Sequence, residues 1–268
     1  MKICAMNDPF KDLPREIEFV GEHGFQGIEL VFEYPTTPEV VLAEKNKVLD
    51  ALSSYSLVKI AHTQAFVDIC NVYETVRKAS LEETFKALET AHALDIRFLT
   101  LHAGYVWPVL SKDEALKRSY ASIEKLLGKA EELDLILGIE NLPVRGFTRV
   151  VDFERLFSRI KSDRLRFVFD VAHTSFRESD SSRDFIRNLY GKMGHVHLSD
   201  NLGERDDHLP LGLGKVDYET AVRELIEAGY DRTITLEIFV KDKEYLLFSR
   251  SKLEQVLKKK NNCETLPF

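Results

Sequence analysis

The sequence predicts an α/β fold, a single (β/α)8 barrel formed by residues 1–268. Three observations predict it. Short apolar runs recur along the whole chain, nearly continuous rather than alternating, as expected of strands covered on both faces. Each is followed by a longer charged stretch with apolar residues three or four apart, the period of an amphipathic helix. Eight such pairs occur, and eight βα units occupy about 250 residues in a barrel. A doubly wound open sheet is the competing arrangement of the same units. No Pro- or Gly-rich linker divides the chain.

The elements follow in order. The run 2–6 precedes a helix over 13–23, and the run 27–31 precedes one over 38–55. Strand 58–62 leads to a helix over 81–94, where Leu81, Phe85, Leu88 and His92 form one stripe. Strand 97–102 leads to a helix over 115–133, with Leu116, Tyr120, Ile123, Leu127 and Ala130 on one side. Strands 135–140 and 166–170 precede short helices over 148–160 and 182–190. Strand 194–198 is followed by the longest irregular stretch, 199–216, and then by a helix over 217–228 that stops at Gly229. Strand 233–239 and a helix over 243–259 complete the count.

Composition narrows the functional classes. With 44% hydrophobic and 30% charged residues the chain is ordinary for a folded protein, which excludes extended disorder and fibrous repeats. Cys4, Cys70 and Cys263 are too few and too scattered for a disulfide framework or a CxxC zinc site, so they are expected to be reduced packing residues. The net charge of −7 is a poor basis for non-specific nucleic-acid binding, although a local cation-rich cleft can outweigh it. The N-terminus lacks a signal-peptide apolar region, and no stretch reaches the roughly 18 apolar residues of a membrane helix. A cytoplasmic protein with no membrane partner is expected.

The polar residues at the downstream ends of the strands carry more. Strand three ends in His62, strand four in His102, strand five in Glu140 and strand six in Asp170, with His173 three residues on. Strand seven carries His195 and His197, the loop after it Asp206 and His208, and strand eight Glu237. A barrel opens all of these ends onto one face, where active sites are built. The set holds only imidazoles and carboxylates, the donors of Zn²⁺ or Mn²⁺ without thiolate. Taken singly, each is explained as a satisfied structural histidine or a solvated strand end. That explanation does not account for the succession His, His, Glu, Asp, His and Glu. His195 is read as a helix-facing residue or one that supports a ligand; His23, His92 and Asp95 are read as surface or packing residues of helices.

The motifs Gly24 to Leu30, Leu137 to Asn141, Phe169 to His173, His195 to Asn201, Asp207 to Gly214 and Thr235 to Glu237, taken in this order, resemble the xylose isomerase-like TIM-barrel superfamily. That group contains sugar isomerases and epimerases and the endonuclease IV group. The resemblance covers essentially the whole chain. It implies a divalent-metal-dependent isomerase or epimerase that removes a proton next to a carbonyl. Glu140, Asp170, His197 and Glu237 match the metal ligands, Glu140 and Glu237 the paired acid/base groups, and His173 the residue that orients substrate hydroxyls. One Mn²⁺, Mg²⁺, Co²⁺ or Zn²⁺ ion is implied.

The nuclease branch implies two or three Zn²⁺ ions and a phosphodiesterase acting on abasic DNA. Its further ligands match His62, His102, His173, Asp206 and His208. Ala172 and Asp207 stand where that branch has Cys and Arg, and the loop from His62 to Asp68 follows the sugar-enzyme pattern. A carbohydrate is therefore the first expectation and nucleic acid the second. A non-catalytic metal-binding barrel is third, disfavoured by the complete ligand set. Arg205 lies where barrels often bind phosphate, and Phe66 and Trp107 could wall a sugar, so all three are candidate substrate contacts. The epimerase relatives often dimerise, so a homodimer is compatible with the resemblance.

Overall fold

The computed structural model describes residues 1–259. Eight parallel strands close into a barrel in chain order: β1 (Lys2–Met6), β2 (Gly27–Val31), β3 (Val58–His62), β4 (Phe98–Leu101), β5 (Ile136–Glu140), β6 (Leu165–Asp170), β7 (Met193–Leu198) and β8 (Thr233–Leu236). Closure rests on β1 against β8, with Lys2 opposite Thr233 and Ala5 opposite Leu236. That pairing excludes the open sheet, in which both edges would be free.

The helices form the outer ring: α1 (Leu13–Glu22), α2 (Pro38–Ala43), α3 (Lys45–Ser53), α4 (Glu74–Ala93), α5 (Lys112–Glu132), α6 (Val150–Arg159), α7 (Ser182–Leu189), α8 (Tyr218–Glu227) and α9 (Glu244–Lys259). The helix expected over 38–55 is broken at Glu44, whose ψ is 14°. The two halves serve different neighbours: α2 packs on α4, and α3 on α1. Helix α4 starts seven residues before the expected 81. Its buried face runs through Arg77, Ser80, Leu81, Thr84, Ala87, Leu88 and Ala91. Small and polar residues on that face carry no hydrophobic signal, so apolar spacing alone misses the first two turns. His92 sits at the margin of the face, exposed, with Nδ1 3.0 Å from the Leu133 carbonyl.

Between barrel and ring lies the main core. It includes an aromatic cluster: Phe153 of α6 meets Phe167 of β6 at 4.6 Å between ring centroids, and Phe167 stacks on Phe185 of α7 at 5.7 Å. These rings fix α6 and α7 against β6 and so hold the strand that ends in Asp170. Cys4 and Cys70 are buried free thiols, as expected; Cys263 lies outside the described residues. Among the described residues no helix is long and apolar enough to cross a membrane.

The loop 199–216 is built around one carboxylate. Asp200 is buried and accepts four backbone N–H groups, those of Asn201, Gly212, Gly214 and Val216, each at 2.9 Å. It also pairs its backbone with Leu209 at 2.9 and 2.7 Å. Gly214 is required here, because a Cβ would lie 2.3 Å from both Asn201 O and Asp200 Oδ1. The folded loop also captures the chain leaving β8, since Phe239 N donates to His208 O at 3.2 Å. Regular pairing therefore ends at Leu236, short of the expected 239, and Glu237 stands at the barrel mouth.

Candidate metal centre and active site

Glu140 and Asp170 are the last residues of β5 and β6, His197 is the fifth residue of β7, and Glu237 follows β8 directly. Strand register sets Asp170 opposite His197. One donor atom from each of the four lies within 4.8 Å of the others. Glu140, Asp170 and His197 are buried, and Glu237 is 8% exposed.

This set fits a divalent cation. Asp170 Oδ2 and Glu237 Oε2 are buried acceptors with no hydrogen-bond partner. Glu237 Oε2 lies 3.1 Å from His197 Nδ1, without the alignment of a hydrogen bond. Burial pushes the Asp170 carboxyl up to about 7; His173 pulls against it, while Glu140, Glu237 and Asp206 reinforce it. A divalent cation would give both of these oxygens a partner and offset the mutual repulsion of the carboxylates. The N and O donors, without sulfur, suit Mn²⁺, Mg²⁺, Co²⁺ or Zn²⁺.

Two further clusters flank the four. On one side His62 Nε2 and His102 Nε2 each approach Glu140 Oε2 at 3.1 Å, while His197 Nδ1 is 3.2 Å from Glu140 Oε1. Burial opposes charge on Glu140, but His197, His102 and His62 outweigh it and hold the carboxyl well below the usual range. On the other side Asp206 Oδ2 sits between His173 Nε2 at 2.8 Å and His208 Nε2 at 3.2 Å. The His173 ring is fixed by the hydrogen bond from Nδ1 to Asn141 O at 2.6 Å. Burial opposes the charge of His208, but Glu237 and Asp206 push it up to about 9.

All nine candidate metal residues thus converge on one mouth. The three proposed substrate contacts are placed differently. The Arg205 side chain is 84% exposed and reaches toward Asp207 at 3.4 Å. Phe66 is 87% exposed. Trp107 is held at the rim by its Nε1–H donating to Asp68 Oδ2 at 2.6 Å. The helix-facing reading of His195 is corrected: it is fully buried and points to the same side as His197, its Nε2 3.0 Å from Glu29 Oε2. Side chains two apart on a strand share a face, so the helix-facing option conflicted with His197 facing inward.

Glu29 itself is the residue that reading by strand ends overlooks. It sits mid-strand in β2, fully buried, among His195, His197 and Thr100. A charged residue inside an otherwise apolar run was the available signal, because a buried carboxylate requires partners.

A family model described as the xylose isomerase-like TIM barrel matches residues 17–259. The chain belongs to this family. The uncharacterized protein MJ1311 of Methanocaldococcus jannaschii is 30% identical over 85% of this chain and 79% of its own. A fructoselysine 3-epimerase of Escherichia coli O157:H7 is 24% identical over 91% of this chain and 92% of its own. A "probable endonuclease 4" of Metamycoplasma arthritidis is 23% identical over 79% and 76%. The fold is shared with a D-tagatose 3-epimerase-like protein at a TM-score of 0.84, 24% identity, and coverage of 99% of this chain and 100% of that one.

Proposed function

We propose that this xylose isomerase-like barrel is a divalent-metal-dependent epimerase or isomerase of a sugar or sugar derivative. The observation that carries this reading is the cluster of Glu140, Asp170, His197 and Glu237, with its two unpartnered carboxylate oxygens. Relatives and structural neighbours named as 3-epimerases support a ketose or ketose derivative as the substrate class.

These four residues would hold the ion, which supplies positive charge to offset the charge that develops on the substrate oxygens. Glu237, the most exposed of the four, faces the mouth as the base that takes the proton from the carbon beside the carbonyl. The C–H electron pair moves into the new C=C bond, and the carbonyl π pair moves onto oxygen, giving an enediolate. Glu140 returns a proton from the other face. His62 and His102, each 3.1 Å from Glu140 Oε2, can pass that proton to it. His173 is fixed by Asn141 through Nδ1, and a substrate hydroxyl would take the place of Asp206 at its Nε2.

One observation favours a second reading. The His62–His102–Glu140 and His173–Asp206–His208 clusters are both assembled, and they match the further ligands of the endonuclease branch. A single comparison separates the two. The protein is incubated in D₂O with Mn²⁺ and a panel of ketoses, and in parallel with an abasic duplex and Zn²⁺. Deuterium entering a carbon next to the carbonyl, with formation of the epimer and loss on chelation, is the expected result. Chelator-sensitive cleavage of the duplex with no exchange into any sugar would overturn the epimerase reading.

A further inference from the structure

Beneath the four candidate ligands, inside the barrel, lies a second polar layer that the proposed chemistry does not touch. Glu29 on β2 is fully buried, 0% exposed. Its Oε1 accepts from Thr100 Oγ1 at 3.0 Å, and both its oxygens lie 3.1 Å from His197 Nε2. Its Oε2 also lies 3.0 Å from His195 Nε2. The Thr100 hydroxyl and two imidazole Nε2 atoms thus crowd the two oxygens of one carboxylate, which accept, so each Nε2 is the nitrogen placed to donate its hydrogen. Around His195 the remaining nitrogen is taken by the Thr233 hydroxyl, with Nδ1 to Oγ1 at 2.7 Å. Around His197 the remaining nitrogen is Nδ1, which faces Glu140 Oε1 at 3.2 Å and Glu237 Oε2 at 3.1 Å.

We propose that Glu29 is a positioning residue for the metal centre: it holds His197 as the Nε2–H tautomer, in the one ring orientation that turns the Nδ1 lone pair toward Glu140, Asp170 and Glu237. With Nε2 donating to Glu29, Nδ1 is the nitrogen left to face Glu140 and Glu237. A flipped ring would place a bare nitrogen or a C–H edge against a buried carboxylate and turn the N–H away from its acceptor. The carboxylate also makes the coordinating nitrogen a stronger donor, as carboxylates behind metal-bound histidines do. Thr100 and His195 fill the other acceptor sites of Glu29, so its own orientation is fixed from three strands, β2, β4 and β7. Such a layer explains why a charged residue stands in the middle of an apolar strand, where a stable barrel would otherwise carry a hydrophobe.

This inference rests on the four-ligand reading, and its test separates the two. Protein labelled with ¹⁵N-histidine is loaded with Zn²⁺, and long-range ¹H–¹⁵N spectra assign which His197 nitrogen is protonated and which is bound. Metal affinity and the Tm of the metal-free protein are then measured for wild type and Glu29→Gln, which keeps the shape and removes the charge. The expected result is Nε2–H with zinc on Nδ1, and affinity falling about 10–100-fold in the variant, measured at a temperature below its metal-free Tm, where it is folded. Zinc bound through Nε2 of His197 in the wild type overturns the proposal, whether or not the variant folds. Equal affinity in the two proteins also overturns it and leaves the four-ligand centre standing. A wild type that binds no zinc removes the centre, and the role of Glu29 with it.

Discussion

Glu237→Gln is expected to lower substrate turnover by about 10²–10⁴-fold, the usual contribution of a positioned general base, while the fold is retained. The amide has the shape of the carboxylate and keeps one oxygen that can face the ion. It cannot take a proton from carbon. Glu237 is also the best placed of the three carboxylates to meet a substrate, because Glu140 and Asp170 are almost wholly enclosed. The check is ¹H NMR of the substrate in D₂O. Wild type should wash deuterium into the carbon beside the carbonyl, and the variant should not, at unchanged circular dichroism. Exchange at the wild-type rate would remove Glu237 from the role of base.

Asp200→Ala is expected to destabilise the protein by about 3 kcal/mol or more, because each buried donor left without a partner costs roughly 1–3 kcal/mol. Four backbone N–H groups depend on that one side chain. They are spread from 201 to 216, so their loss frees the whole loop rather than one turn of it. Asp206 and His208 ride on this loop, and with it goes the contact of Asp206 with His173. Denaturant titration measures the stability. Amide exchange at Gly212, Gly214 and Val216 measures the loop, and all three should lose protection. Native protection at these amides in the variant would show that the loop stands without its central carboxylate.

The barrel was legible because its strands are buried on both faces and its helices on one. The two periods differ enough to be told apart in runs as short as Gly27–Val31. Boundaries were less legible where a helix buries small or polar residues, as α4 does with Ser80, Thr84 and Ala87. The candidate site was legible for a topological reason. Closing a parallel barrel brings every strand end to one rim, so Glu140, Asp170, His197 and Glu237 could be placed together without knowing any distance. Glu29 was not legible by that route, because it lies mid-strand, below the rim. Arg205 was legible as a charge near the rim, but its direction was not: a loop side chain follows its local turn, and here it leads toward Asp207 and solvent.

The metal content of the protein purified without added metal, as wild type and as Asp170→Ala, tests the central claim most directly. A single-metal epimerase predicts one divalent ion per wild-type chain, bound through four residues of which Asp170 is one, and a near-empty variant. Two or three tightly held zinc ions per wild-type chain, or an ion content untouched by the loss of Asp170, would contradict it.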